Sequence, residues 1–143
     1  MNLIERLISL RGYRLAREFL AIYGLEVPAA VTVGEDLRIM HRGFGTVIHP
    51  MTVIGDRVRI YHQVTIGRHD AHLDFDKSKM EKIVIGNDVV LFPGAKVLGR
   101  AGITTLGSGT IVGANSVLSH STGDNEIWAG APARLVGVRK MSV

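Results

Sequence analysis

Aliphatic residues recur every six positions along the middle of this chain, and this spacing constrains the fold more than any other feature. The clearest members of the repeat are Ile54, Ile60, Ile66, Ile85, Leu91 and Val97. Glycine often follows the aliphatic residue, as at Gly55, Gly67 and Gly86. Because one such unit is too short to bury its own apolar side chain, the period predicts a solenoid in which units stack on their neighbours.

The composition favours one small domain without thiol chemistry. The 143 residues include no cysteine, which excludes disulfides, zinc–cysteine sites and cysteine nucleophiles. The 17 glycines are spread along the chain, as expected for turns at the corners of a coil. The formal net charge is +4, but basic residues are not clustered and aromatic residues make up only 6% of the chain. We therefore expect no nucleic-acid partner.

The first 26 residues differ from the repeat region. Apolar residues recur at intervals of three and four between Leu3 and Ile22, with arginines largely between them, which predicts an amphipathic helical segment broken near Gly12. The segment is too charged to span a membrane. It either packs against the coil or a neighbouring subunit, or makes peripheral contact with an anionic membrane surface.

Two larger insertions and one smaller one interrupt the repeat. The step from Ile39 to Ile48 is nine residues instead of six, and residues 68–82 form a polar segment. A smaller insertion falls at residues 99–105. Extra residues in a solenoid form loops, where function concentrates. We thus expect a helical segment at 1–26, a repeat domain at 27–137 with a protruding loop at 68–82, and a tail at 138–143.

Several short motifs occur in a characteristic order. They are Tyr23-Gly24-Leu25-Glu26-Val27-Pro28, Ile39-Met40-His41-Arg42-Gly43, Ile60-Tyr61-His62-Gln63-Val64-Thr65-Ile66-Gly67, Ala95-Lys96-Val97-Leu98-Gly99 and Ala129-Gly130-Ala131-Pro132-Ala133-Arg134. This ordered set resembles the hexapeptide-repeat acyltransferases, and within them the serine acetyltransferase branch and its polysaccharide-modifying relatives. The resemblance implies an all-β solenoid, namely a left-handed parallel β-helix, assembled as a homotrimer with active sites between subunits. We expect a cytoplasmic protein, since the absence of cysteine fits a reducing compartment, and the basic helix could place it at the inner face of the membrane.

The resemblance implies an acetyl-CoA-dependent O-acetyltransferase that works by direct attack of a hydroxyl. Such a reaction needs a base, and a neutral imidazole is well matched to that task near neutral pH. His41 occupies the position of the catalytic histidine of the family. Two departures leave the acceptor open between serine and a sugar or glycan precursor. Met40 stands where many members have aspartate, and residues 79–82 differ from the element that usually ends the loop.

The repeat gives a second inference about His41 that is independent of the family. If Ile60 stacks on Ile39, then His62 stacks on His41 at about 4.8 Å, the spacing of neighbouring strands. Two adjacent imidazoles disfavour double protonation, which would keep His41 neutral. Alternatively, His62 lines the acceptor pocket.

Further candidate residues lie on the loop and near it. His69 is a rival for the base, and Arg42, Asp70 and His72 are candidate acceptor contacts together with His62. The carboxylate that orients the catalytic imidazole is unassigned. Its candidates are Glu35, Asp36, Asp70 and Asp74.

For the cofactor, the resemblance implies a pantetheine arm lying against small residues at coil corners. The candidates are Gly94, Ala95, Gly113, Ala114, Ala129 and Gly130. Arg134, Arg139 and Lys140 are candidate contacts for the CoA phosphates, and we expect no metal. Trp128 is expected to cap the open end of the coil.

Two other functions remain open. A γ-type carbonic anhydrase would use the same fold with three histidine ligands, although the six histidines lack the usual pair five residues apart. A non-catalytic β-helix would serve as an assembly module and would not bind acetyl-CoA.

Overall fold

The computed structural model describes residues 1–140 and consists of two helices followed by a coil of short strands. The helices are α1 (Leu3–Ser9) and α2 (Arg14–Ile22), and the helical conformation is interrupted between them around Gly12. The strands are β1 (Thr32–Val33), β2 (Arg38–Ile39), β3 (Val47–Ile48), β4 (Thr52–Ile54), β5 (Arg59–Ile60), β6 (Thr65–Arg68), β7 (Met80–Ile85), β8 (Val90–Leu91), β9 (Lys96–Gly99), β10 (Gly102–Leu106), β11 (Ile111–Val112), β12 (Val117–Leu118), β13 (Glu126–Gly130) and β14 (Ala133–Val138).

The strands form three sheets that wrap around one core, as in a triangular prism. The first sheet has the order β1-β4-β7-β10, the second β2-β5-β8-β11-β13-β14 and the third β3-β6-β9-β12. Each coil contributes one strand to each sheet, and all pairs except β13 with β14 are parallel. The predicted solenoid is therefore confirmed as a parallel β-helix.

Stacked aliphatic residues fill the interior and fix the register. Ile39 pairs with Ile60, which pairs with Leu91, and the three side chains are at most 3% exposed. The predicted stacking of Ile60 on Ile39 is thus confirmed. A one-residue slip would turn such a ladder out of the core, so the buried stack determines which residues meet at each corner.

The corners between sheets repeat a left-handed backbone conformation. Where the first sheet turns into the second, Asp36, Arg57 and Asp88 have φ between 52° and 58°. At the next corner Gln63 and Gly94 have φ of 56° and 74°. These positions favour glycine, asparagine and aspartate, which explains the polar and glycine-rich corners of the repeat.

The insertion at 68–82 is shorter than the sequence indicated, because its ends are strands. Arg68 ends β6, and Met80 begins β7, leaving residues 69–79 outside the sheets. Met80 pairs with Gly102, and Lys82 pairs with Ile103. Two insertions in successive coils therefore pair with each other and extend the first sheet.

Helix α1 caps the exposed edge of the first coil. Glu5 forms a capping box with Asn2, and its Oε1 also accepts a hydrogen bond from the Ile39 N–H at 3.1 Å. The Asn2 side-chain amide donates to the Ile39 carbonyl at 3.3 Å. Edge strand β2 would otherwise leave these backbone groups unpaired. Neither helix among residues 1–140 is long and apolar enough to cross a membrane.

A hairpin covers the other end of the prism. Strand β14 pairs antiparallel with β13, and Trp128 stands in register with Val112 and packs against the core. The hexapeptide pattern did not predict this hairpin. The predicted tail at 138–143 is described only to Lys140, and residues 141–143 lie outside the described part of the chain.

Replacing Glu5 with alanine should lower the free energy of unfolding by about 1–3 kcal/mol, because the buried Ile39 N–H loses its acceptor. Urea unfolding at a fixed protein concentration measures the loss. Glu18→Ala is the matched control, since Glu18 is exposed and its partner among residues 1–140 is Arg14 at 3.6 Å. Its effect should stay within about 0.5 kcal/mol. Equal losses in the two variants would contradict this account of the cap.

Candidate active site

The corner between the second and third sheets carries the two histidines singled out by the sequence, and we call it the histidine corner. In successive coils it consists of residues 40–46, 61–64, 92–95 and 113–116. The first of these segments is three residues longer than the second, because of the nine-residue step after Ile39. The extra residues form a tight turn at Met40–Gly43, in which His41 and Arg42 have left-handed backbone conformations.

His41 lies on this turn with its side chain exposed. The centroids of the His41 and His62 rings are 5.4 Å apart, and the rings meet edge to face at 86°. The His41 ring also contacts Tyr61, with ring centroids 5.8 Å apart. The predicted meeting of the two histidines is confirmed, although their rings are perpendicular instead of parallel.

His62 is the more buried of the two histidines. Its Nδ1 is buried and has no hydrogen-bond partner among residues 1–140. A buried polar atom without a partner is uncommon and costs free energy, so such an atom marks a place where a ligand or water can bind. Tyr61 contacts both His41 and Phe92. The sequence did not indicate it as a site residue, although it directly follows the core residue Ile60 in the sequence.

Gly43 allows the turn that presents His41. His41, Arg42 and Gly43 all have positive φ, of 50°, 59° and 64°. A Cβ at Gly43 would lie 2.7 Å from Ile39 Cγ2 and 2.9 Å from Leu25 Cδ2. Only glycine therefore fits between the turn and the core, and the turn is held directly against the buried ladder.

Arg42 points toward the N-terminal helix. It lines a small depression together with Asn2, Leu3, Ile4 and Tyr23. The same turn thus presents His41 beside His62 and Arg42 beside α1.

The loop candidates lie elsewhere in the single chain. His69 follows β6, whereas His62 precedes it, so the strand separates the two residues. Asp70 accepts hydrogen bonds from Ser78 Oγ at 2.9 and 3.1 Å and pairs with Arg68 at 3.4 Å. His72 is exposed at the loop surface. Within one chain, the structure does not bring His69, Asp70 or His72 to His41.

A histidine outside the predicted site holds this loop. His49 stacks on Phe75 with ring centroids 5.8 Å apart and planes 8° apart, and the Arg68 guanidinium lies 5.5 Å from the Phe75 centroid. Burial lowers the pKa of His49, the charge of Arg68 lowers it further, and Asp70 opposes the shift. The only sequence signal for this contact is the position of His49 directly after β3.

Most of the small residues proposed for the cofactor follow the histidine corner toward the C-terminus. Val112 and Trp128 continue the ladder of Ile39, Ile60 and Leu91. Gly113 and Ala114 follow Val112 in the sequence, and Ala129 and Gly130 follow Trp128. Gly94 is buried, with φ of 74°. The expectation that Ala95 lies against the cofactor was wrong, because its side chain is fully buried in the core and cannot line a groove.

The three basic candidates near the C-terminus do not lie together. Arg134 is exposed and pairs with Ala129 across the hairpin, which places it near the small residues of the histidine corner. Lys140 is exposed. Arg139 turns back to the opposite edge of the second sheet, where its Nη1 donates to the Asp88 carbonyl at 2.8 Å.

Within one chain, the four predicted carboxylates lie away from His41. Glu35 lies at the corner between the first and second sheets, where its N–H donates to Asp56 Oδ1 at 2.8 Å. Asp70 pairs with Arg68, and Asp74 pairs with Lys77 at 2.7 Å. Asp36 lies at the corner between the first and second sheets, in a groove that contains Arg38 and Arg57. Among residues 1–140, no group of three or more histidine, aspartate or glutamate side chains is arranged to hold a metal ion.

Solved structures with the same fold are serine acetyltransferases. The enzyme from Brucella abortus in complex with coenzyme A aligns over 96% of this chain and 56% of its own, with 26% identity and a TM-score of 0.77. The soybean apoenzyme aligns over 91% of this chain and 52% of its own, with 28% identity and a TM-score of 0.71. The predicted fold class, a left-handed parallel β-helix of hexapeptide repeats, is confirmed.

Curated relatives have the same name. A serine acetyltransferase from Helicobacter pylori is 36% identical over 80% of this chain and 62% of its own length, and one from Bacillus subtilis is 34% identical over 79% and 48%. The resemblance stated from the sequence is therefore confirmed: this is a serine acetyltransferase-like hexapeptide-repeat chain. No family model matches it.

The match covers only part of each relative. The chain spans between 31% and 62% of the length of curated relatives such as these. It spans 47–56% of the solved chains.

Gly43→Ala should destabilise the fold more than Gly102→Ala. Both glycines have positive φ, of 64° and 77°, but a Cβ at Gly102 meets no atom within 4 Å. The backbone strain should cost about 1–2 kcal/mol in each variant, and overpacking should add about 1–3 kcal/mol at Gly43 alone. Urea unfolding compares the two, and equal losses would show that the turn does not depend on close packing.

His49 should make the stability depend on pH. Its pKa in the folded state lies below its usual value of about 6.5, so the unfolded state binds more protons between those two values and stability falls as pH falls through them. Comparison of His49→Gln with the unmodified protein isolates this effect. Between pH 7.5 and 5.5 the unmodified protein should lose more stability than the variant, and parallel losses would contradict the assignment.

Proposed function

We propose that this chain is an acetyl-CoA-dependent O-acetyltransferase in which His41 acts as general base. The observation that carries the proposal is the turn at Met40–Gly43, which presents an exposed imidazole edge-on to His62 at 5.4 Å. The serine acetyltransferases with the same repeat region, one of them in complex with coenzyme A, support the reaction class.

The reaction is a direct transfer. The acceptor hydroxyl oxygen attacks the carbonyl carbon of the thioester while His41 takes the hydroxyl proton. The carbon–sulfur bond then breaks, and the CoA thiolate leaves and takes up a proton, so that the products are the acetyl ester and free CoA. A base held by a rigid turn needs little reorganisation, and the packing of Gly43 against Ile39 and Leu25 supplies that rigidity.

His62 is proposed to contact the acceptor. The contact of its ring with His41, at 5.4 Å between centroids, supports this role, because a hydroxyl that approaches the proposed base also approaches His62. We keep Arg42 as a further proposed contact, since it lies on the same turn as His41. His69, Asp70 and His72 would reach an acceptor only in an assembly that brings a second copy close to the corner.

The cofactor is proposed to lie along the corner below His41. Gly113, Ala114, Ala129 and Gly130 continue that edge of the prism with small side chains, which allow close approach of a ligand to the backbone. Arg134, across the hairpin from Ala129, is the proposed contact for a CoA phosphate. Lys140 follows Arg139 at the other end of β14, so within one chain it lies apart from this edge.

Serine is the proposed acceptor, because the relatives with the same repeat region are named for it. The departures at Met40 and at residues 79–82 make a sugar hydroxyl the alternative acceptor to include in an assay. A non-catalytic role as an assembly module would be indicated if acetyl-CoA did not bind.

A homotrimer in the cytoplasm is the proposed assembly. Large apolar side chains are exposed on the hairpin at Leu135 and Val136 and on α2 at Leu15, Phe19 and Ile22. Contact between subunits would cover such surfaces. The stripe on α2 also suits peripheral contact with a membrane, which remains the alternative for that helix.

His41→Asn should reduce turnover by about 10²–10⁴-fold, the usual contribution of a positioned base. Asparagine is the better replacement because it tolerates the positive φ of this position, so the turn should be kept. The assay follows acceptor-dependent release of the CoA thiol with serine and a set of sugars.

His120→Asn is the matched control for that experiment. His120 is exposed and packs against Trp128 at the C-terminal end, with ring centroids 4.7 Å apart. It should leave turnover unchanged. Full activity of His41→Asn would move the base to another residue.

A further inference from the structure

A second polar groove lies at the opposite edge of the second sheet from the histidine corner. Its volume is about 280 Å³, and we call it the arginine groove. The charged residues that line it are Asp36, Arg38, Arg57, Arg59, Asp88 and Arg139. The proposed acetyl transfer uses none of these residues.

Two of the arginines stand directly beside each other. Arg38 and Arg59 are partners in the register of β2 and β5, so their backbones are about 4.8 Å apart. Both are exposed, and among residues 1–140 neither side chain has a hydrogen-bond or salt-bridge partner. Like charges opposite each other destabilise a sheet unless an anion lies between them.

The remaining arginines form a fixed wall. Arg57 binds Asp88 through two hydrogen bonds of 2.9 Å each. Arg139 Nη1 donates to the Asp88 carbonyl at 2.8 Å, and its backbone N–H is bonded to the Asn125 carbonyl. The groove is therefore held in shape by contacts from three coils and the C-terminal hairpin.

The charges of the groove do not balance. Four guanidinium groups face two carboxylates, a difference of +2. Asp88 is committed to Arg57, and the hydrogen bond from Arg57 lowers the pKa of Asp88. Asp36 contributes the other negative charge, which leaves two guanidinium charges uncompensated, equal to those of the unpaired Arg38 and Arg59.

We propose that the arginine groove binds the phosphate group of a phosphorylated small molecule. Paired guanidinium groups match phosphate oxygens through parallel hydrogen bonds, and a dianionic phosphate would balance the two uncompensated charges. Arg38 and Arg59 would bind the phosphate directly, with Arg139 at the end of the groove. A phosphate of CoA and the phosphate of a separate ligand share this chemistry.

Calorimetry with inorganic pyrophosphate at low ionic strength tests the site on the full chain. Arg38→Gln/Arg59→Gln is compared with the unmodified protein and with Arg6→Gln/Arg14→Gln. The control pair removes the same charge from exposed positions on α1 and α2. We expect equal binding by the unmodified protein and the control, and at least about tenfold weaker binding by Arg38→Gln/Arg59→Gln, because bonds to charged groups contribute most.

Equal binding by all three proteins, or absence of binding by the unmodified protein, would overturn the proposal. Sedimentation of the same samples reports their mass. Dissociation of Arg38→Gln/Arg59→Gln into smaller species, without pyrophosphate binding by the unmodified protein, would show that the arginines hold a neighbouring subunit instead.

A second titration identifies the source of the phosphate. If CoA binding weakens in Arg38→Gln/Arg59→Gln by the same factor as pyrophosphate binding, the phosphate belongs to the cofactor. If CoA binding is unchanged while pyrophosphate binding is lost, the groove takes a separate phosphorylated ligand. Phosphate binding by the arginine groove does not depend on acetyl-transfer activity, since both titrations measure binding alone.

Discussion

The inward stacking of one aliphatic residue from each side of every coil is the interaction on which this structure depends. It buries apolar surface, which is the main favourable term in folding, and it also fixes the register of three sheets made of very short strands. Ile39, Ile60 and Leu91 illustrate both effects, since they are buried and occupy successive rungs. Residues at a constant distance along the sequence from this ladder therefore share one edge of the prism.

The two edges of the second sheet use that constraint differently. At one edge the ladder brings His41 next to His62, and the three extra residues after Ile39 raise His41 above the regular corner. At the other edge the same ladder sets Arg38 beside Arg59. Stacking that is required by the core thus creates both an imidazole pair and an arginine pair.

The sequence predicted those features that follow from the period alone. The repeat gave the register of Ile39 and Ile60 and hence the meeting of two histidines. It did not predict that Met80–Lys82 form a strand, because their partner lies in another insertion. It also did not place Arg139, whose position depends on an antiparallel hairpin outside the hexapeptide pattern. Ala95 was assigned to a groove, although its place four residues after the aliphatic position puts it inside.

The binding of acetyl-CoA tests the central claim most directly, because a transferase must bind acetyl-CoA and an assembly module need not. Calorimetric titration of the full chain with acetyl-CoA should show saturable binding with a dissociation constant on the order of micromolar, about −8 kcal/mol. The same affinity should persist in His41→Asn, since the base acts on the acceptor. Absence of binding by either protein at millimolar acetyl-CoA would contradict the account and leave the β-helix as an assembly module.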